Sequence, residues 1–279
     1  MRMRYYSETR GLRDGIEVDA LRVIVRDLYL DLKENGLLTE WLGDYCCDEG
    51  DIPGTAGRDP GRATVFEIGR SDIWPPDPVE GGWSEDAIFD FLQFLGSKVS
   101  LPVEGSGRYH SFNNCGWHEQ SFPHEPARSQ FIDRVNRMLT RFGSGWEMKG
   151  DLEIVERAPL GLDDLLEPKL PGATEALQIR VRGAIAKYRR RHSDRIDRRD
   201  AVRDLGDVLE PLRKEATKHL SKDEADLFNI LNNFGLRHNN ESQKDDYDAI
   251  WLSGLFYHYL MMIDVLTHSI ERSALQAAN

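Results

Sequence analysis

The sequence is poor in cysteine and in long apolar runs, and it carries no excess of positive charge. Three cysteines, two of them adjacent (Cys46 and Cys47), are too few for a disulfide framework and fit a reducing compartment, so a cytoplasmic location is expected. The opening Met-Arg-Met-Arg-Tyr-Tyr-Ser-Glu has no apolar stretch, and no leader peptide is expected there. The longest apolar run, Ile250 to Ile263, is short of a membrane span and is followed by Asp264, which predicts a buried helix and no membrane partner. Gly54-Thr-Ala-Gly57 lacks the Lys-Ser/Thr that a phosphate-cradling loop requires. Gly-x-Ser-x-Gly and His-Glu-x-x-His are both absent, which removes the usual signatures of α/β-hydrolases and zinc proteases. A net charge of −12 argues against indiscriminate binding to nucleic acid. No internal repeat is detectable.

What is present is a soluble, globular composition: 40% hydrophobic and 30% charged residues, with length for one or two domains. Helical spacing is clear from Val18 to Asn35, where Leu21, Ile24, Val25, Leu28 and Leu32 share a face and Gly36 ends the run. Leu37 to Leu42 reads as a further apolar turn or short helix. Asp44 to Gly82 is rich in Gly, Pro and Asp, and only Ala63-Thr-Val-Phe-Glu-Ile68 reads as a strand. Ser84 caps a helix to about Val99, and Pro126 suits the first turn of another that carries Phe131, Val135, Met138 and Leu139. Trp146 to Val155 alternates around Lys149-Gly150 as a small hairpin.

The expectation is therefore mostly α. Residues 1–156 form an α+β or mainly helical domain with a small β-hairpin. A Pro/Gly-rich linker covers 157–173, and 174–279 form a helical bundle. In the bundle, helices are predicted from Thr174 to His192, from Arg195 to Leu220 with a kink or break near Leu209-Glu210 ahead of Pro211, and from about Tyr247 to Arg272. A fourth follows Ser221, whose Glu224 completes a capping box.

Two polar constellations stand out. His110, Cys115, His118 and His124 offer four donors in one loop, with the Cys-x2-His spacing zinc accepts. Their alternative role is a polar loop sealed by its aromatics, and Cys46-Cys47 is a further pair of thiols at a distance in sequence. Between Arg180 and Arg203 lie ten bases, among them Arg189, Arg190, Arg191, Arg195, Arg198 and Arg199, against three acids. The local net charge is +7, which suits a phosphate-facing patch; the alternative is the solvated face of two helices and their turn, as charge runs usually are.

The stretch Asn232-Asn233-Phe-Gly-Leu-Arg237-His238-Asn239-Asn240 falls between two apolar helical patterns, with Gly235 a suitable helix terminator. It resembles the motif region of the HEPN superfamily (higher eukaryotes and prokaryotes nucleotide-binding domains), in the form found at the C-termini of abortive-infection-type proteins. The resemblance covers roughly the last 110 residues. On it His238 takes the family's His position and Asn233 the Asn position, while Asn232 stands where the family has Arg. The resemblance implies a four-helix bundle, a homodimer, and defence-associated cleavage of RNA without any cofactor. His238 would be the base, Arg237 the cation, and Asn232, Asn233, Asn239 and Asn240 amide donors around RNA or a nucleotide. Loss of the family Arg implies the alternative, a catalytically silent module that binds nucleotide, RNA or a partner protein. The same His and Asn side chains also suit a helix-terminating network.

Overall fold

The computed structural model describes residues 15–143, 145–159, 161–220 and 249–277. The chain is mostly helical and divides into two compact units between Val155 and Glu156.

The first unit is built on α1 (Val18–Glu34), α4 (Glu85–Lys98) and α5 (His124–Leu139), with the short α2 (Thr39–Leu42) and α3 (Pro60–Ile68) between them. Helix α1 buries Leu21, Val25, Leu28, Tyr29 and Leu32, and the 3.6-residue spacing puts them all on one face. Helix α4 is capped by the Ser84 hydroxyl, which accepts from the Ala87 amide, and buries Ile88, Phe91, Leu92 and Leu95. Helix α5 contributes Phe131, Val135, Met138 and Leu139 to the same core, which Trp41, Ile73 and Trp83 complete. The segment Ala63 to Ile68, expected to be a strand, lies instead in α3. Its Asp59 carboxylate accepts from the Arg62 amide, Pro60 opens the helix, and Gly69 closes it in a left-handed conformation. Caps at both ends fix the helix against the β-branched content of its middle.

Among the described residues there are also three two-stranded hairpins, the first two antiparallel in register. They are β1 (Gly43–Cys46) with β2 (Gly50–Pro53), β3 (Arg108–His110) with β4 (Gly116–His118), and β5 (Trp146–Met148) with β6 (Ile154–Glu156). The last is the expected hairpin. It is clamped to α5 by the Asn136 side chain, which donates to the Met148 carbonyl at 3.0 Å and accepts from its amide at 2.7 Å.

The second unit packs α6 (Glu175–Arg189), α7 (Arg195–Leu220) and α8 (Ala249–Ala277) around one core. Helix α7 runs through Pro211 as a single element, without the expected break. The stretch 157–173 is no free linker: Ala158, Leu166 and Leu170 are buried in this core. Helix α8 is the one helix among the described residues long and apolar enough to cross a membrane. Its Phe256, Tyr259, Leu260 and Ile263 are fully or almost fully buried in the core of the unit.

Candidate metal centre

Two of the hairpins gather every cysteine in the chain. In β1 the strand period puts Asp44 and Cys46 on one face and Tyr45 on the other, with Cys47 the first residue of the turn. Gly43 makes this hairpin possible: its φ is +94°, and a Cβ there would lie 2.1 Å from the Ile52 carbonyl oxygen. In the second hairpin Arg108 pairs with His118, Tyr109 with Trp117, and His110 with Gly116. His110 and His118 therefore share one face, and Tyr109 and Trp117 the other. The connection turns through Asn113 and Asn114, both left-handed (φ 55° and 54°), a conformation asparagine tolerates better than other residues with a Cβ. It delivers Cys115 to the start of β4. Arg108 reaches Glu49 at 3.2 Å, so the inner faces of the two hairpins meet.

Between those faces lie Cys46, Cys47, His110 and Cys115, whose donor atoms are all within 4.8 Å of one another. His110 Nδ1 is 3.3 Å from Cys47 Sγ and 3.8 Å from Cys46 Sγ. A tetrahedral zinc, with bonds of about 2.0–2.3 Å, sets its ligands about 3.3–3.8 Å apart. His118 stands just outside the group of four, with its Nε2 3.3 Å from Cys115 Sγ. Each histidine is held on its far side by a carboxylate of the first hairpin. His110 Nε2 meets Asp48 at 3.0 Å, and His118 Nδ1 meets Asp44 at 2.6 Å. Such outer carboxylates fix the tautomer and direction of a metal-binding imidazole.

The electrostatics suit the same reading. The Cys47 backbone amide, above all, and then the imidazole of His110, pull the Cys115 thiol down to about 6. Burial and the neighbouring Cys115 push the Cys47 thiol up to about 11. Asp44, then Cys115, raise the imidazole of His118. A thiol pulled down beside an imidazole pushed up is also what a cysteine nucleophile needs, and Cys115, His118 and Asp44 do stand in nucleophile–base–orienter order. That role leaves Cys46, Cys47 and the Asp48–His110 pair without purpose, whereas a metal ion uses all of them.

Three of the four expected donors, His110, Cys115 and His118, are thus brought together, and His124 is not. His124 opens α5, where its Nδ1 bonds the Val99 carbonyl at 3.0 Å and its Nε2 meets Glu40 at 3.0 Å. Cys46 and Cys47 take its place. Their signal in the sequence is two adjacent thiols followed by the turn residues Asp48, Glu49 and Gly50.

The basic stretch is largely consumed within its own unit. Arg189 is buried and donates to the Glu156 carbonyl at 2.8 Å, so it presents nothing to a phosphate. Arg198 binds the Glu156 carboxylate at 2.6 Å and lies over the Tyr188 ring. Arg190 pairs with Asp197, Lys187 with Asp204, and Arg180 with Asp207. Arg191, Arg195 and Arg199 also have partners of their own. Asn232, Asn233, Arg237, His238, Asn239 and Asn240 lie outside the described residues.

No protein-family model, curated protein or solved structure matches the chain.

Proposed function

We propose that Cys46, Cys47, His110 and Cys115 bind one zinc ion, and that this ion joins two hairpins into a module of the first unit. The observation that carries the reading is four soft and borderline donors within 4.8 Å of one another, with Asp48 behind the ligating histidine. Neither hairpin contributes a residue to the hydrophobic core of the unit, and each is too short to be stable alone. A metal supplies the missing cross-link, and its binding energy becomes folding energy for the module. Elemental analysis of the purified protein should give about one zinc per chain. Cys115→Ser and His110→Ala should lose it, and His124→Ala should keep it. Metal-free protein of undiminished stability, with Cys115 readily alkylated at neutral pH, would transfer the site to the nucleophile reading.

For the chain as a whole we propose a defence-associated effector of the HEPN type that cleaves RNA without a catalytic metal, with His238 as base and Arg237 as cation. A second unit made of long helices on one core supports it. The residue standing for the family Arg, Asn232, favours the other outcome, a silent module that binds RNA, a nucleotide or a partner protein. An RNA cleavage assay in EDTA separates the two, with zinc content followed in parallel so that loss of the hairpin metal is not read as loss of catalysis. Cleavage that persists in EDTA and disappears in His238→Ala supports the enzyme. Wild-type protein that is inert with its zinc in place supports the silent module.

A further inference from the structure

The two hairpins turn their donors inward and their aromatics outward. Tyr109 and Trp117 are paired directly across β3 and β4, on the face opposite to His110 and His118. Their ring centroids are 5.2 Å apart and inclined at 59°, yet both rings are open to solvent, at 57% and 44% exposure. Phe112, in the turn between the strands, is 64% exposed. Rings of this size are normally covered, and leaving them in water gives up roughly 25 cal/mol for each Å². Tyr109 and Trp117 make an outward apolar patch of the kind that marks a binding site, while the Phe112 ring neighbours His110 at 6.4 Å between centroids.

The surrounding charge decides what it would bind. The two hairpins and their flanks carry six acids, Asp44, Asp48, Glu49, Asp51, Glu104 and Glu119, against a single arginine, Arg108; Asp44 and Asp48 sit at the inward histidines, so the negative bias belongs to the module as a whole. That arginine is tied to Glu49. The zinc with its three thiolates adds no positive charge to the balance. A phosphate backbone would be repelled here, which removes nucleic acid despite the stacking rings. Aromatic faces and carboxylates both attract cations, and lysine and arginine side chains bring an apolar stem with the charge. We infer that the outer face of the β3–β4 hairpin binds a lysine- or arginine-rich segment of another polypeptide, with Tyr109 and Trp117 as the platform for a cationic side chain. The inference needs the hairpin folded and does not depend on which ion folds it.

The test is fluorescence anisotropy with a labelled ten-residue Lys/Arg peptide on full-length protein. Its glutamate counterpart and a single-stranded oligonucleotide serve as controls. The basic peptide should bind and the two controls should not. Trp117→Ala and Tyr109→Ala should each weaken binding about 2- to 30-fold. Trp117→Phe, which keeps a ring, should recover part of the loss. Zinc content measured on every variant separates a lost surface from a lost fold. Two results would overturn the inference: the peptide binding equally well to Trp117→Ala that retains its zinc, or the oligonucleotide being preferred.

Discussion

Asp44 and Asp48 are four residues apart on the hairpin that also carries Cys46 and Cys47, and each grips a histidine of the other hairpin. One short segment therefore supplies two thiols and both orienting carboxylates. Because Asp48 holds Nε2, Nδ1 is the nitrogen that His110 can offer to the proposed zinc. An amide in place of the Asp48 carboxylate keeps the shape but weakens the hold on the ring and lowers its basicity. Asp48→Asn should therefore reduce zinc affinity about 10- to 100-fold while leaving one zinc per chain at saturation. Competition with a chromogenic chelator measures it, and an unchanged affinity would show that Asp48 is surface charge only. The site was partly legible in the sequence. The Cys-x2-His spacing marked Cys115 and His118, which do meet. His124 was indistinguishable from a ligand until Val99 and Glu40 were seen to occupy both its nitrogens. Sequence distance hid Cys46 and Cys47, because nothing local says that two hairpins more than sixty residues apart will face each other.

Elements with strong local signals were read with little error. The face of α5, that of α1 apart from Ile24 (which is exposed), the Ser84 cap, and the starts of α6 and α7 all follow from spacing and side-chain chemistry that act within a few residues. Misreadings fell where tertiary context or end effects outweigh the middle of a segment. Ala63 to Ile68 carries residues that favour a strand, but the Asp59 cap, Pro60 and the left-handed Gly69 set a helix around them. The 157–173 stretch looked like a linker because of its prolines and glycines, while its leucines were the informative residues, packed against the helices of the second unit. Strands β1 to β4 escaped notice because three- and four-residue strands are too short to show a period.

At the scale of the whole molecule, the question is what covers α8. Its sequence is apolar nearly all round, more than one buried face of a bundle needs. Leu255 and Leu266 are buried within the single chain, together with Phe256, Tyr257, Leu260 and Ile263. A different set of side chains is exposed: Met261 and Val265 at 45% each, with Ile250 at 76% and Leu275 at 61% toward the two ends. At roughly 100° per residue these four fall within about 80° of one another around the helix axis. They run from the second residue of α8 to its third from last, with His268 and Arg272 on the same arc between Val265 and Leu275. This seam matches a second helix of the same kind, and a two-fold axis would pair it with itself. We propose that the chain forms a homodimer through this seam. Light scattering at micromolar concentration should give a mass near twice 32.0 kDa. Glutamate at both Met261 and Val265 should return it to one chain, since four like charges would then sit in the interface with no partner. Both side chains are partly open to solvent within the single chain, so the double variant should keep its helix content and melt as a cooperative unit. A monomer in the wild type, or a dimer that survives both glutamates, would remove the seam from any role in assembly.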